Sequence, residues 1–145
     1  CGMATSISID ASVAVKAIVE EQFSDNARSI LATYDLILAP AHAYAEIAEV
    51  VFRKFSAGQI AERQVVLALE RLPNILTLVP LDTIIVDAFN IAKEIHHSVY
   101  DCLYVAAAMK HGTELVTADV KLVLKTRNTP YSALVRHLAD SGGLP

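Results

Sequence analysis

The sequence has 145 residues, of which 54% are hydrophobic and 19% charged, and its formal net charge is −4. This length suits one domain with a buried core, and the apolar content excludes a disordered chain. A general basic coat for nucleic acid is excluded too, so any contact with nucleic acid needs a local patch or an acidic site that metal ions neutralise.

Short apolar runs alternate with segments of helical periodicity through the first half of the chain. Pro40 suits the first turn of a helix, Gly58 follows the predicted end of that helix at Phe55, and Pro73 stops the next helix. In chain order the predicted elements are strand 6–9, helix 11–21, a helix capped by Ser24 and running to about 32, strand 36–39, helix 40–55 and helix 59–72.

The second half of the chain repeats this alternation. Asp82 is placed to cap a helix whose apolar stripe includes Ile84 and Ile95, and Gly112 follows the end of the next helix. Because the strands are apolar throughout and alternate with helices, we expect a three-layer α/β/α domain around a parallel sheet of four to five short strands. The predicted elements are strand 75–79, a helix from Asp82 to about 95, helix 100–110, strand 114–117, helix 119–126 and strand 133–138.

The chain ends and the two cysteines bear on domain organisation and compartment. The cysteines, at positions 1 and 102, show no disulfide or metal-thiolate spacing, no apolar run approaches the roughly 18 residues of a membrane span, and no signal peptide is visible. These features predict a cytoplasmic protein. The opening CGM is typical of a vector remnant, so the expected organisation is a remnant at 1–3, a single domain over 4–140 and a C-terminal tail over 141–145.

Four acidic residues are the main candidates for a site. Asp10 directly follows the first predicted strand and Asp119 lies two residues past the fourth, so both belong to the sheet edge where α/β proteins bind ligands. Taken singly, each acid has an ordinary structural role: Asp10 and Asp119 as helix N-caps, Asp101 in a first helical turn, and Glu46 on a solvated face. Acids that meet on one edge repel each other unless a cation joins them, and carboxylates are ligands that Mg²⁺ or Mn²⁺ prefers.

Other polar side chains are weaker candidates. His96 and His97 are neighbours at a predicted helix end and point apart, which favours a solvated pair over a metal pair. Lys16, Arg53 and Lys54 are candidates to hold phosphates near an acidic site, although scattered basic residues are more often solvated.

Three segments together resemble a known family. They are "SISIDASVAVKAIVEE", "LAPAHAYAEIAEVVFR" and "SVYDCLYVAAAMKHGTELVTAD". Their order and spacing resemble PIN-domain nucleases, and in particular the VapC-type toxins of prokaryotic toxin–antitoxin pairs, from about residue 6 to 138.

The resemblance implies one acidic catalytic pocket made by Asp10, Glu46, Asp101 and Asp119. It implies that Mg²⁺ (or Mn²⁺) is bound chiefly by Asp10 and Asp101, that Asp119 completes or shares the site, and that Glu46 orients water or a second ion. Ser12 and Thr117 match positions that support the acids.

One position departs from the family pattern. Glu49 lies three residues after Glu46, where the family often has Asn, and its spacing allows a pair with Arg53 instead.

The function implied by the resemblance is a metal-dependent endoribonuclease, the toxin of a toxin–antitoxin system, whose products carry 5′-phosphate and 3′-hydroxyl ends. The implied partners are an RNA substrate, a second copy in a homodimer and a cognate antitoxin, with no membrane. The apolar excess also favours an oligomer or a stable partner.

Three alternatives remain open from the sequence. A haloacid-dehalogenase-type phosphatase requires a second Asp two residues after the first, where this chain has Ser12. A response-regulator receiver requires an Asp after the middle strand and a Lys after the last, and neither is found directly after those strands. A PIN-fold protein outside a toxin–antitoxin pair, acting in RNA processing or as a catalytically silent binding module, is the third.

Overall fold

Residues 5–141, which this computed structural model describes, form five strands and seven α-helices. The strands are β1 Ser6–Ile9, β2 Leu36–Pro40, β3 Leu76–Val79, β4 Leu115–Thr117 and β5 Val135–His137. The helices are α1 Ala11–Ile18, α2 Ser24–Thr33, α3 Ala43–Ser56, α4 Glu62–Ile75, α5 Ile85–Ile95, α6 Val99–His111 and α7 Val120–Thr126. The predicted remnant at 1–3 and residues 142–145 of the predicted tail lie outside the described residues.

The strands form one parallel sheet in the order β3-β2-β1-β4-β5, flanked by the helices, which confirms the predicted three-layer fold. The centre of the sheet is buried, since Ile7, Ile9 and Val116 are at most 1% exposed. From β1 the chain builds outward first on one side, through β2 and β3, and then on the other, through β4 and β5. The topological switch point therefore lies between β1 and β4, where ligands bind in such folds.

Two predicted helix starts are wrong. Pro40 is the last residue of β2, and α3 begins at Ala43. Since β1 pairs with β2 up to Leu38, the missing N–H of Pro40 costs no hydrogen bond on that side. Asp82 does not cap α5, because a 3₁₀ turn at Leu81–Thr83 intervenes and α5 begins at Ile85.

Pro73 does not stop α4, which continues through it to Ile75. Proline lacks the N–H that would bond the carbonyl oxygen of Leu69, four residues earlier. The hydroxyl of Tyr44, on α3, donates to that oxygen instead at 2.5 Å. A partner from another helix thus satisfies the group that proline leaves free. None of the helices within residues 5–141 is both long and apolar enough to cross a membrane.

Candidate active site

Asp10 lies directly after β1, is buried, and is both a helix cap and a cleft residue. Its Oδ1 accepts hydrogen bonds from the backbone N–H of Val13 at 3.3 Å and from the hydroxyl of Ser12 at 2.5 Å. Its Oδ2 accepts from the hydroxyl of Thr117. Burial raises the pKa of Asp10 to about 6, and the charge of Asp119 acts in the same direction, while the hydrogen bonds oppose them.

Ser12 and Thr117 join the carboxyl ends of the two central strands. The Ser12 hydroxyl oxygen accepts from the backbone N–H of Ala118 at 3.0 Å, and the Thr117 hydroxyl oxygen accepts from that of Asp119 at 2.9 Å. Each hydroxyl therefore accepts a hydrogen bond from a backbone N–H of the loop after β4 and donates a hydrogen bond to Asp10. This arrangement fixes the direction of both donors and holds the Asp10 carboxylate at the switch point between β1 and β4.

Asp119 is the N-cap of α7, as its ordinary structural role predicted. Its Oδ1 accepts from the backbone N–H groups of Lys121 at 2.9 Å and Leu122 at 3.4 Å. The cap orients the side chain, and Asp119 still lines the same cleft as Asp10. Capping and site membership are therefore compatible for both strand-end acids.

Asp101 lies in the first turn of α6 and contacts a residue that sequence reasoning placed in solvent. Its Oδ2 is 2.7 Å from Nε2 of His97, whose side chain is only 13% exposed. His96 adopts a left-handed conformation with φ of 54° and is exposed, as predicted. That turn ends α5 and directs His97 toward Asp101, so the prediction of a solvated pair is wrong for His97. The four-residue spacing between His97 and Asp101 is the sequence feature that could have indicated this contact.

Glu46 reaches the cleft from α3. Its Oε2 accepts a hydrogen bond from the hydroxyl of Tyr104 at 2.8 Å. Tyr104 is 1% exposed, and its ring lies 4.9 Å from that of His42. Burial and the adjacent Glu46 raise the pKa of the Tyr104 phenol, so the phenol stays protonated and donates to the carboxylate. Glu46 is thus oriented by a rigid donor from α6.

Two lysines lie on the rim of the cleft, and both pair with Glu21. The Nζ of Lys54 is 2.7 Å from one carboxylate oxygen of Glu21 and the Nζ of Lys16 is 3.3 Å from the other. Burial acts to raise the pKa of Glu21, but these hydrogen bonds hold it below its ordinary value. Glu49 instead pairs with Arg53 at 3.8 Å on the exposed side of α3, as their spacing predicted.

The cleft has a volume of about 390 Å³, and the four acids singled out from the sequence all line it. Its donor set fits a divalent cation. Two ligands of one Mg²⁺ are at most about 4.2 Å apart, because each lies roughly 2.1 Å from the ion. Single ligand atoms of His97, Asp101 and Asp119 all lie within 4.8 Å of one another, close to the separation that one ion requires, whereas Asp10 does not belong to this group.

The sequence matches the family model of the PIN domain over residues 7–126. The chain belongs to the PIN-domain family. PIN domains are nucleases, and the resemblance drawn from the three sequence segments is confirmed. No curated protein matches this PIN domain significantly.

Solved structures share the fold of this PIN domain. PAE2754 from Pyrobaculum aerophilum is 19% identical with a TM-score of 0.64, over 96% of this chain and 88% of that one. A toxin–antitoxin complex from Klebsiella pneumoniae is 17% identical with a TM-score of 0.59, over 91% and 97% of the two chains. VapC20 of Mycobacterium tuberculosis, a toxin that cleaves the sarcin-ricin loop, is 17% identical with a TM-score of 0.58, over 88% and 93%.

Proposed function

We propose that this PIN domain is a Mg²⁺- or Mn²⁺-dependent endoribonuclease that hydrolyses RNA phosphodiester bonds, and that it acts as the toxin of a toxin–antitoxin pair. The observation that carries the proposal is the convergence of Asp10, Glu46, Asp101 and Asp119 in one cleft at the switch point of the sheet. A silent binding module needs Asp10 only as a helix cap, a role that an uncharged Asn or Ser fills without the cost of a buried charge.

The proposed roles follow from the contacts of each acid. Asp101, Asp119 and Asp10 hold the cation. When bound, a divalent cation offsets negative charge on the phosphodiester and eases the deprotonation of water. Glu46, oriented by Tyr104, is the acceptor in the cleft for a proton from water.

Local positive charge supports a nucleic-acid substrate despite the net charge of −4. Lys16 and Lys54 line the same cleft as the acids. Their ammonium groups bracket the Glu21 carboxylate, a geometry that also suits the oxygens of a phosphate. We propose that they bind the RNA backbone beside the scissile bond.

Metal-dependent cleavage of RNA tests this function directly. The purified chain is incubated with total bacterial RNA and millimolar Mg²⁺ or Mn²⁺. The new RNA ends are then sequenced after ligation of an adaptor that joins only to a 5′-phosphate. We expect discrete cuts with 5′-phosphate and 3′-hydroxyl ends that EDTA abolishes and added Mn²⁺ restores. Cleavage that persists in EDTA, 2′,3′-cyclic phosphate ends, or intact RNA with both metals would contradict the proposal.

We further propose that the protein is cytoplasmic, forms a homodimer and binds a cognate antitoxin. An apolar groove of about 290 Å³ lies between α1, α2 and α4, with Ile18, Leu31 and Leu72 in its walls. Phe52 and Val66, on α3 and α4, are 58% and 47% exposed. We assign the exposed side chains of Phe52 and Val66 to self-association and the groove to an apolar antitoxin segment. An arginine of that segment would pair with the acidic cleft.

Light scattering checks the self-association part of this proposal. We expect a dimer mass at micromolar concentration, because burial of these apolar side chains favours association. A Phe52→Glu, Val66→Glu variant should shift toward the monomer without loss of helical circular dichroism. A wild-type chain that remains monomeric at that concentration would contradict the homodimer.

A further inference from the structure

His97 contacts Asp101, and the proposed function gives it no role. It lies in the short connection between α5 and α6, where the left-handed turn at His96 reverses the chain and the backbone N–H of His97 bonds the carbonyl of Ala92 at 3.3 Å. Its side chain is 13% exposed, so this is a packed and fixed histidine.

The connection between α5 and α6 makes two hydrogen bonds to Asp101, one to its backbone and one to its side chain. The hydroxyl of Ser98, the N-cap of α6, accepts the backbone N–H of Asp101 at 3.2 Å. One residue earlier, Nε2 of His97 lies 2.7 Å from Oδ2 of the Asp101 carboxylate. The backbone and the side chain of Asp101 are therefore fixed by adjacent residues of one turn.

The surroundings of His97 bear on whether it binds the cation itself or only orients Asp101. His97 lines a separate cavity with Lys121, Leu124 and Lys125, and it is not among the residues that line the acidic cleft. A ring nitrogen of His97 nevertheless lies within 4.8 Å of carboxylate oxygens of Asp101 and Asp119, so whether that nitrogen carries a hydrogen decides whether it can bind a cation. A carboxylate only accepts hydrogen bonds, so Nε2 carries the hydrogen and its lone pair is not free for a metal.

We propose that His97 is a positioning residue: it donates a hydrogen bond to Oδ2 of Asp101 and thereby leaves the other carboxylate oxygen of Asp101 for the cation. This inference rests on the proposed function, because it assumes that Asp101 is a metal ligand. A partner of this kind fixes the orientation of a ligand before the metal arrives, and its loss typically costs about 10- to 100-fold in metal affinity.

Mn²⁺ binding, measured by electron paramagnetic resonance without RNA, tests the role of His97. We expect His97→Leu to raise the Kd for Mn²⁺ about 10- to 100-fold, and His97→Gln, which keeps an N–H donor, to recover most of the affinity. His96→Asn is the matched control: it changes the exposed neighbouring histidine to a residue that tolerates the left-handed turn, and it should leave the Kd unchanged.

The outcomes separate this inference from the proposed function. Wild type that binds Mn²⁺ and cleaves RNA while His97→Leu keeps the wild-type Kd overturns the positioning role alone. A directly bonded ¹⁴N coupling in the electron spin echo spectrum of wild type, absent in His97→Leu, also overturns it, because His97 would then be a ligand. Failure of wild type to bind Mn²⁺ at all overturns the proposed function.

Discussion

Asp101→Asn is expected to lower the rate of RNA cleavage by about 10³-fold. A unit charge about 4 Å from another contributes about 4 kcal/mol at an effective dielectric constant of 20, and that energy corresponds to about 10³ in rate. The amide keeps the size of the side chain, and the backbone bond from Asp101 to Ser98 is untouched, so the fold should be retained. Single-turnover cleavage at saturating RNA measures the effect.

The matched control for this change is Glu49→Gln. Glu49 is also a helical acid, but its side chain is 65% exposed and pairs with Arg53 outside the cleft. Exposed pairs contribute about 0–1 kcal/mol, so cleavage should stay at the wild-type rate. A metal-dependent rate that is unchanged in Asp101→Asn, or a Glu49→Gln variant as inactive as Asp101→Asn, would contradict the site assignment.

Asp10→Asn is expected to stabilise the metal-free protein at pH 7.5 while it removes cleavage. The pKa of Asp10 is about 6 in the folded state against 3.8 as its ordinary value, because the carboxyl is buried. The folded state therefore holds this proton more tightly than the unfolded state, and the stability that protonated Asp10 gives is lost as the pH rises through 6. A difference of about two pKa units corresponds to about 3 kcal/mol.

The expected gain from Asp10→Asn is smaller than that figure. An amide has only one oxygen, so one of the two hydroxyl donors, Ser12 or Thr117, loses its acceptor at a cost of about 1 kcal/mol. We expect a net gain of about 1–2 kcal/mol at pH 7.5 and none at pH 4, where wild-type Asp10 is protonated as well.

Urea unfolding in EDTA at pH 7.5 and pH 4 measures the effect of Asp10→Asn. The control is Asp82→Asn, since Asp82 is exposed in the turn before α5 and the same change there should alter stability little at either pH. An Asp10→Asn variant that is less stable than wild type at pH 7.5 would show that the buried carboxylate is not a source of strain. Added Mg²⁺ should stabilise wild type and not the variant, because only wild type keeps the full ligand set.

The sequence by itself determined the order and type of the main elements, though not every helix boundary, and it identified the candidate acids. Apolar runs of four or five residues marked four of the strands to within one residue at each end, because strands buried on both faces leave no polar alternation. Asp10 and Asp119 were predicted at the carboxyl edge because each comes just after a predicted strand, and the structure places them there. Gly112 also marked the end of α6 correctly, because glycine readily adopts the left-handed conformation that it has there.

Contacts between distant residues were decided only by the tertiary structure. Pro73 looked like a helix stop because its local effect is to leave a carbonyl unpaired, and the Tyr44 hydroxyl that satisfies that carbonyl is supplied by another helix. Lys54 and Glu21 are 33 residues apart, so no spacing rule relates them.

The order of the strands in the sheet was likewise set by the tertiary structure, and this order brings the residues of the site together. Parallel strands carry the same apolar pattern whichever neighbour they pair with, so the sequence did not show that β1 pairs with β4. That pairing brings the Thr117 hydroxyl onto Asp10, 107 residues away. The position of His97 depended on the left-handed turn at His96, a conformation that is uncommon for residues other than glycine and that helical periodicity does not indicate. Periodicity identifies the elements, whereas long-range packing and hydrogen bonding select which of their ends meet.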